Sequence, residues 1–313
     1  LAGLAVTVEH PVLWLMPILA VYLAISTRQV RRIAAFLVGT AAGVAPLLAF
    51  NARAFGDLLH TPYSDYWEQQ RGMAYVPLGL PQWDEFSRLL FSSLGLIPLA
   101  PVLAAGVGGA VLLYRRGLRA EAGVCLAVPA ALIVYFSRNG AYGGLGPPRY
   151  LTLMMPFALL PLAAFLRRYP LTTLSLAAVS AFQAVVMTAT GPLAAYDGAW
   201  LERAADRLFV STAASWVGIT GWYSIVPFAA AVCAAGVLGV ASLPRLRVAA
   251  ADAALAVAAT GAWALVALAS YNDWGRTPSS GYVLTMAAVV AAASAATLVL
   301  HQLRRAAPQT PKL

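Results

Sequence analysis

The sequence predicts an all-α protein, a polytopic transmembrane helix bundle of about nine spans whose external loops carry short interfacial helices. Of its 313 residues, 61% are hydrophobic and 11% are charged, whereas about a quarter of the residues in a soluble domain are charged. The hydrophobic residues come in runs near the roughly 20 residues that a helix needs to cross a bilayer. Because lipid offers the backbone no hydrogen bonds, each run is expected to be helical.

Nine apolar segments carry this prediction. They cover residues 11–26, 33–51, 92–114, 122–137, 151–166, 171–192, 225–243, 250–269 and 282–301. Residues 1–8 either end an earlier span or extend the first one. The chain starts inside an apolar run without a methionine, so we expect residues 1–313 to be a single transmembrane domain, the C-terminal part of a longer chain.

The basic residues predict which side of the membrane each loop occupies. Most of the 21 lie in short connections at residues 27–32, 114–121, 167–169, 245–247 and 303–312. The positive-inside rule assigns these connections to the cytoplasm. The alternating set of loops is then external, and with Glu9 it holds most of the 12 acidic residues. The largest external loop is 52–91 and the second large one is 193–224, so chemistry is expected on this face.

Several classes of function have no support in the sequence. The net charge of +9 comes from arginines at the ends of spans, so it does not indicate nucleic-acid binding. The three histidines, at positions 10, 60 and 301, show no metal-ligand spacing, and no phosphate-binding glycine loop or HExxH motif occurs. Both cysteines fall inside apolar segments, which argues against a disulfide framework.

Two external stretches have amphipathic patterns. In residues 81–91, Trp83, Phe86, Leu89 and Leu90 share one helical face, while Asp84, Glu85 and Arg88 lie mostly opposite. This pattern is typical of a helix lying flat in the membrane interface, and the stretch around Trp200 resembles it. The adjacent acids Asp84 and Glu85 offer a general base or oxygen ligands for a divalent cation, although a polar helix face has the same composition.

Residues 141–151, AYGGLGPPRYL, combine flexible glycines, two prolines and a single arginine. Arg149 presents a fork of donors beside Tyr150, and a guanidinium binds phosphate through two hydrogen bonds at once. These two residues are therefore candidates for binding a lipid phosphate. The alternative is an arginine that reaches to lipid headgroups at the start of a helix.

Other polar residues on the external side are candidate substrate ligands. Glu9 and His10 directly precede the first segment, where a charge is costly enough to suggest function, although the pair also suits a helix end at the headgroups. In the largest loop, carboxylates and aromatic rings can bind sugar hydroxyls and sugar faces, and a solvated loop looks similar. The loop candidates are Asp57, His60, Tyr63, Asp65, Glu68 and Arg71.

Three stretches resemble one known family. They are GLAVTVEHPVLWLMPILAVYL (3–23), GTAAGVAPLLAFNARAFGDLLHTPYS (39–64) and AYGGLGPPRYLTLMMPFALLPLA (141–163). In order and spacing they are similar to bacterial GT-C integral membrane glycosyltransferases that use polyprenyl-phosphate-linked sugars, a group related to the family 39 mannosyltransferases. The resemblance covers about residues 3–165, and the remaining residues contribute only hydropathy.

The resemblance implies a polyprenyl-phosphate-linked sugar as donor, a glycan, lipid or protein as acceptor, and inverting transfer on the external face of the bacterial inner membrane. Arg149 occupies the arginine position of the family's GPRYL motif, which implies that it stabilises the leaving phosphate. Glu9, Asn51 and Tyr63 also fall on motif positions. The family's catalytic aspartate lies in an earlier external loop, so the catalytic residue is unassigned here and these 313 residues alone are expected to be inactive.

Two other classes of function remain open. A transporter or flippase for a lipid-linked saccharide would share the membrane bundle and the polar external loops. However, we find no internal repeat and no charge near the middle of a span, features that an ion-coupled carrier usually shows. A non-catalytic membrane scaffold is the third possibility, and the polar external loops make it less attractive.

Overall fold

The computed structural model describes residues 2–60, 80–137, 149–190, 200–209, 217–243, 246–273 and 279–306. Within these ranges all regular structure is helical, so the predicted all-α class is confirmed for the part of the chain that is described. Six of these helices are long and apolar enough to cross a membrane, as the hydropathy pattern indicates.

The N-terminal part folds around helix α3. Its elements are α1 (Ala2–Val8), a 3-10 helix (His10–Leu15), α2 (Met16–Thr27) and α3 (Val30–Phe55). Glu9 is extended, with φ −138° and ψ 103°, so α1 is a separate helix and not a continuation of α2. It packs on α3, where the Thr7 hydroxyl donates a hydrogen bond of 2.9 Å to the Gly43 carbonyl.

The middle of the chain contains two broken helices. Its elements are α4 (Trp83–Phe91), α5 (Leu96–Leu99), α6 (Val102–Arg115), α7 (Arg119–Phe136), a 3-10 helix (Arg149–Met154), α8 (Met155–Leu159) and α9 (Leu162–Arg168). The segment Trp83–Leu99 meets α6 at 85°, and Leu151–Leu159 meets α9 at 44°. Pro98 and Pro101 lie at the first break and Pro161 lies at the second, where the missing proline N–H cannot continue a helix.

The C-terminal part contains four long helices, of which two pack on a third. Its elements are α10 (Pro170–Thr190), α11 (Trp200–Ala205), a 3-10 helix (Gly221–Ile225), α12 (Val226–Ser242), α13 (Ala250–Asp273) and α14 (Ser280–Ala306). Helix α10 packs against both α13 and α14. Trp200, predicted to sit in an interfacial helix, is only 1% exposed, because its ring lies against Phe182 and Tyr282.

The number of spans differs from the prediction. Six helices among the described residues are long and apolar enough to cross a membrane, or eight if each bent pair counts as one span. The predicted count of nine is not confirmed, since the first predicted segment is a shorter apolar helix, Val12–Thr27. The multi-pass membrane architecture itself is supported by these helices.

Candidate functional site

Three separate elements contact α7, and two of them do so at its carboxyl end. The 3-10 helix His10–Leu15 packs there, with the Trp14 ring 5.8 Å from the Tyr135 ring. The turn before α4 joins it through a 2.9 Å hydrogen bond from the Gln82 N–H to the Ser137 carbonyl. The 3-10 helix Arg149–Met154 also contacts α7. We call this convergence, centred on residues 135–137, the α7 corner.

The α7 corner brings together chain segments that carry the predicted site residues. Glu9, half-buried, and His10 begin one of the converging elements, and Arg149 with Tyr150 begins another. Leu151 and Met154 anchor the 3-10 helix that begins with Arg149, because both are buried in the core around α7. For His10, Arg149 and Tyr150 the structure describes the backbone alone, so their predicted ligands stay predictions.

Glu85, on α4, is buried at the same corner. Its side chain is 10% exposed, and its Oε1 lies 3.6 Å from the Nη1 of a half-exposed Arg88. Its Oε2 is buried without any hydrogen-bond partner. The prediction that Glu85 belongs to the outward polar face of an amphipathic helix is therefore wrong, because it shares the inward face with the fully buried Leu89. Trp83, by contrast, is 74% exposed.

Asn51 occupies a fixed position near the carboxyl end of α3. It is 2% exposed, and its Nδ2 donates a 3.2 Å hydrogen bond to the Leu58 carbonyl, which ties down the turn after the helix. Its Oδ1 is buried and has no partner. His60 lies beside this turn, with its ring 4.6 Å from that of Phe55. The remaining loop candidates Tyr63, Asp65, Glu68 and Arg71 fall outside the described residues.

The break between α5 and α6 is held by polar groups from the C-terminal helices. The Pro98 carbonyl accepts hydrogen bonds from Gln183 Nε2 at 2.9 Å and from Trp263 Nε1 at 3.0 Å. On the other side of the break, the Val102 N–H donates to the Ser180 hydroxyl at 3.2 Å. These contacts satisfy backbone groups that lipid would leave without partners. No sequence pattern marks these three side chains, and the prolines are the only signal of the break.

No metal centre can be assigned. The part of the chain that is described contains no group of three or more histidine, cysteine, aspartate or glutamate side chains that could hold a metal ion. The predicted pair Asp84 and Glu85 is split, since Asp84 is exposed and Glu85 is buried. A divalent cation therefore stays a prediction without assigned ligands.

Comparison with known protein families, with curated proteins and with solved structures found no match for this chain. The resemblance of three stretches to a glycosyltransferase family therefore stays an expectation from the sequence.

Proposed function

We propose that the protein is a membrane glycosyltransferase, which moves a sugar from a polyprenyl-phosphate donor to an acceptor on the external face of the bacterial inner membrane. The observation that carries the proposal is the α7 corner. The segment that begins with Arg149, the segment that follows Glu9, and the helix that bears Glu85 all contact α7. Distant parts of the chain are thus joined where an anionic, hydroxylated headgroup would be recognised.

The proposed chemistry needs a cation at the leaving phosphate. The oxygen of an acceptor hydroxyl attacks the anomeric carbon, the bond from that carbon to the phosphate oxygen breaks, and the polyprenyl phosphate leaves with the electron pair. A carboxylate takes the hydroxyl proton. Arg149 is the proposed donor to the departing phosphate, because a guanidinium stabilises phosphate charge through paired hydrogen bonds.

The test is transfer of radiolabelled sugar in proteoliposomes, using the complete protein with any residues encoded before Leu1. We expect Arg149→Ala to reduce turnover by about a hundredfold or more and Arg149→Lys to retain part of it, because lysine keeps the charge but loses the fork. The control is Arg116→Ala, since Arg116 is exposed in the turn between α6 and α7. Wild-type turnover in Arg149→Ala would contradict a role at the leaving phosphate and would favour the alternative, in which Arg149 only contacts lipid headgroups.

A flippase for a lipid-linked saccharide is the second candidate, and one observation favours it. The segment Trp83–Leu99 meets Val102–Arg115 at 85°, and discontinuous helices are common at the binding sites of transporters. A flippase would move a fluorescent lipid-linked sugar between leaflets without forming any covalent product. A glycosyltransferase would form the product even when donor and acceptor are supplied in the same leaflet.

A further inference from the structure

The buried, unpartnered oxygens of the described residues share one chemical property. Only two buried side-chain oxygen or nitrogen atoms in that part of the chain lack a hydrogen-bond partner, Asn51 Oδ1 and Glu85 Oε2. An amide oxygen only accepts hydrogen bonds, and so does an ionised carboxylate. A buried acceptor without a donor is costly, and its presence in a folded protein asks for an explanation.

Glu85 is the stronger of the two positions. A buried carboxylate without a partner costs more than a buried amide oxygen without one, and this carboxylate is nine-tenths buried. Among the described residues, its one ion-pair partner is the half-exposed Arg88, 3.6 Å away, so the ion pair is weak. Its helix is fixed at the α7 corner by the hydrogen bond from Gln82 to Ser137.

We propose that Glu85 binds a hydroxyl group of the saccharide carried by the lipid-linked substrate, accepting the hydrogen bond through Oε2. This inference rests on the proposed function only in that the substrate is a lipid-linked saccharide, so it applies equally to a transferase and to a flippase. Phosphate offers no donors when ionised. In this proposal the segment that begins with Arg149 binds the phosphate, and Glu85 binds the hydroxyls of the sugar ring.

The binding experiment uses the same complete protein as the transfer test, purified in a polyoxyethylene detergent, which contains no sugar ring. The probes are farnesyl phosphate alone and farnesyl phosphate that carries mannose, glucose, galactose or arabinose. Affinity is measured from the rise in the thermal unfolding midpoint with probe concentration, because a ligand that binds only the folded state stabilises it. The variants are Glu85→Gln, which keeps the shape of the side chain, and Glu85→Leu, with Asp84→Asn as the exposed neighbouring control.

We expect at least one glycosylated probe to bind wild type more tightly than farnesyl phosphate does. Both Glu85 variants should weaken binding of that probe about tenfold, since a charge-assisted hydrogen bond is lost, and should leave binding of plain farnesyl phosphate unchanged. Asp84→Asn should bind both probes as wild type does. Without probe, Glu85→Leu should unfold at the same or a higher temperature, because it removes an uncompensated buried acid.

Three results would overturn the inference. In the first, the wild-type protein shows no preference for any glycosylated probe. In the second, both variants bind the glycosylated probe as tightly as wild type. In the third, both variants lose glycosylated and plain probes equally, which indicates a structural acid. Sugar transfer by wild type is scored separately, so that a failure of Glu85 in binding is distinguished from a failure of the proposed enzyme activity.

Discussion

Asp252 caps the amino end of α10 through Thr172, which lies 80 residues earlier in the chain. One carboxylate oxygen of Asp252 accepts hydrogen bonds from the Thr172 N–H at 3.0 Å and from its hydroxyl at 2.8 Å, and the other accepts from the Leu171 N–H at 2.8 Å. Asp252 is fully buried. The contact therefore joins α13 to the first turn of α10, where a negative charge also suits the helix dipole.

Removal of this cap should destabilise the bundle. We expect Asp252→Ala to lower the free energy of unfolding by about 2 kcal/mol, the upper range for loss of an N-cap. Asp252→Asn should lose about half as much, because one acceptor oxygen remains. Thermal unfolding in micelles provides the measurement, and Asp84→Asn, at an exposed position, is the control. Equal stability of Asp252→Ala and wild type would contradict the proposed cap.

The two donors at the Pro98 carbonyl should behave as a coupled pair. Gln183→Leu or Trp263→Phe alone leaves that carbonyl with one partner and should cost about 1 kcal/mol. The double variant leaves it buried without a donor, so its loss should exceed the sum of the single losses by about 1 kcal/mol. A double-mutant cycle by chemical denaturation measures the coupling. Strictly additive losses would show that the two donors act independently.

Glycines on α6 should be sensitive to added volume. A Cβ at Gly109 would meet the backbone carbonyl of Pro161, whereas a Cβ at Gly123 on α7 would meet nothing within 4 Å. Gly109→Ala should therefore cost about 2 kcal/mol through overpacking. Gly123→Ala should be neutral or stabilising by up to about 1 kcal/mol, because alanine favours helix. Comparable unfolding midpoints for the two variants would argue against close packing of α6 on the break at Pro161.

The side of the membrane on which each loop lies can be checked with single cysteines. After Cys125 and Cys233 are replaced by alanine, cysteines are placed at Asp57, Glu202 or Arg116, and intact cells are treated with a membrane-impermeant maleimide. The charge distribution predicts labelling of Asp57→Cys and Glu202→Cys from outside, and of Arg116→Cys only after permeabilisation. External labelling of Arg116→Cys would reverse the predicted topology.

The sequence predicted helices well where hydropathy alone determines them, and poorly where prolines interrupt an apolar run. Residues 92–114 were predicted as one span, yet the chain turns by 85° at the break that contains Pro98 and Pro101. Hydropathy averages over such a break. Only the loss of the proline N–H signals it, and whether the result is a kink or a sharp turn depends on partners such as Gln183.

For the candidate site, the sequence identified segments but not the environment of their side chains. Asn51 was chosen from a motif, and its burial depends on how the turn to Leu58 folds back. Glu85 was placed on a solvent-facing helix surface, because the amphipathic pattern of α4 contains no information about α7. The cap at Asp252 involves residues 80 positions apart, a separation at which no local pattern exists.

The sharp turn before Val102 also determines how thick the protein is in this region. Helix α6 has 14 residues, which at 1.5 Å per residue extend about 21 Å, short of the roughly 30 Å of hydrocarbon in a typical bilayer. If Arg115 lies at one headgroup layer, the segment Trp83–Leu99 lies short of the other headgroup layer and turns sideways there. Beside this segment, either the bilayer becomes thinner or lipid headgroups lie deeper than in the surrounding leaflet. A headgroup of that leaflet would then reach the helix that carries Glu85 without crossing the membrane.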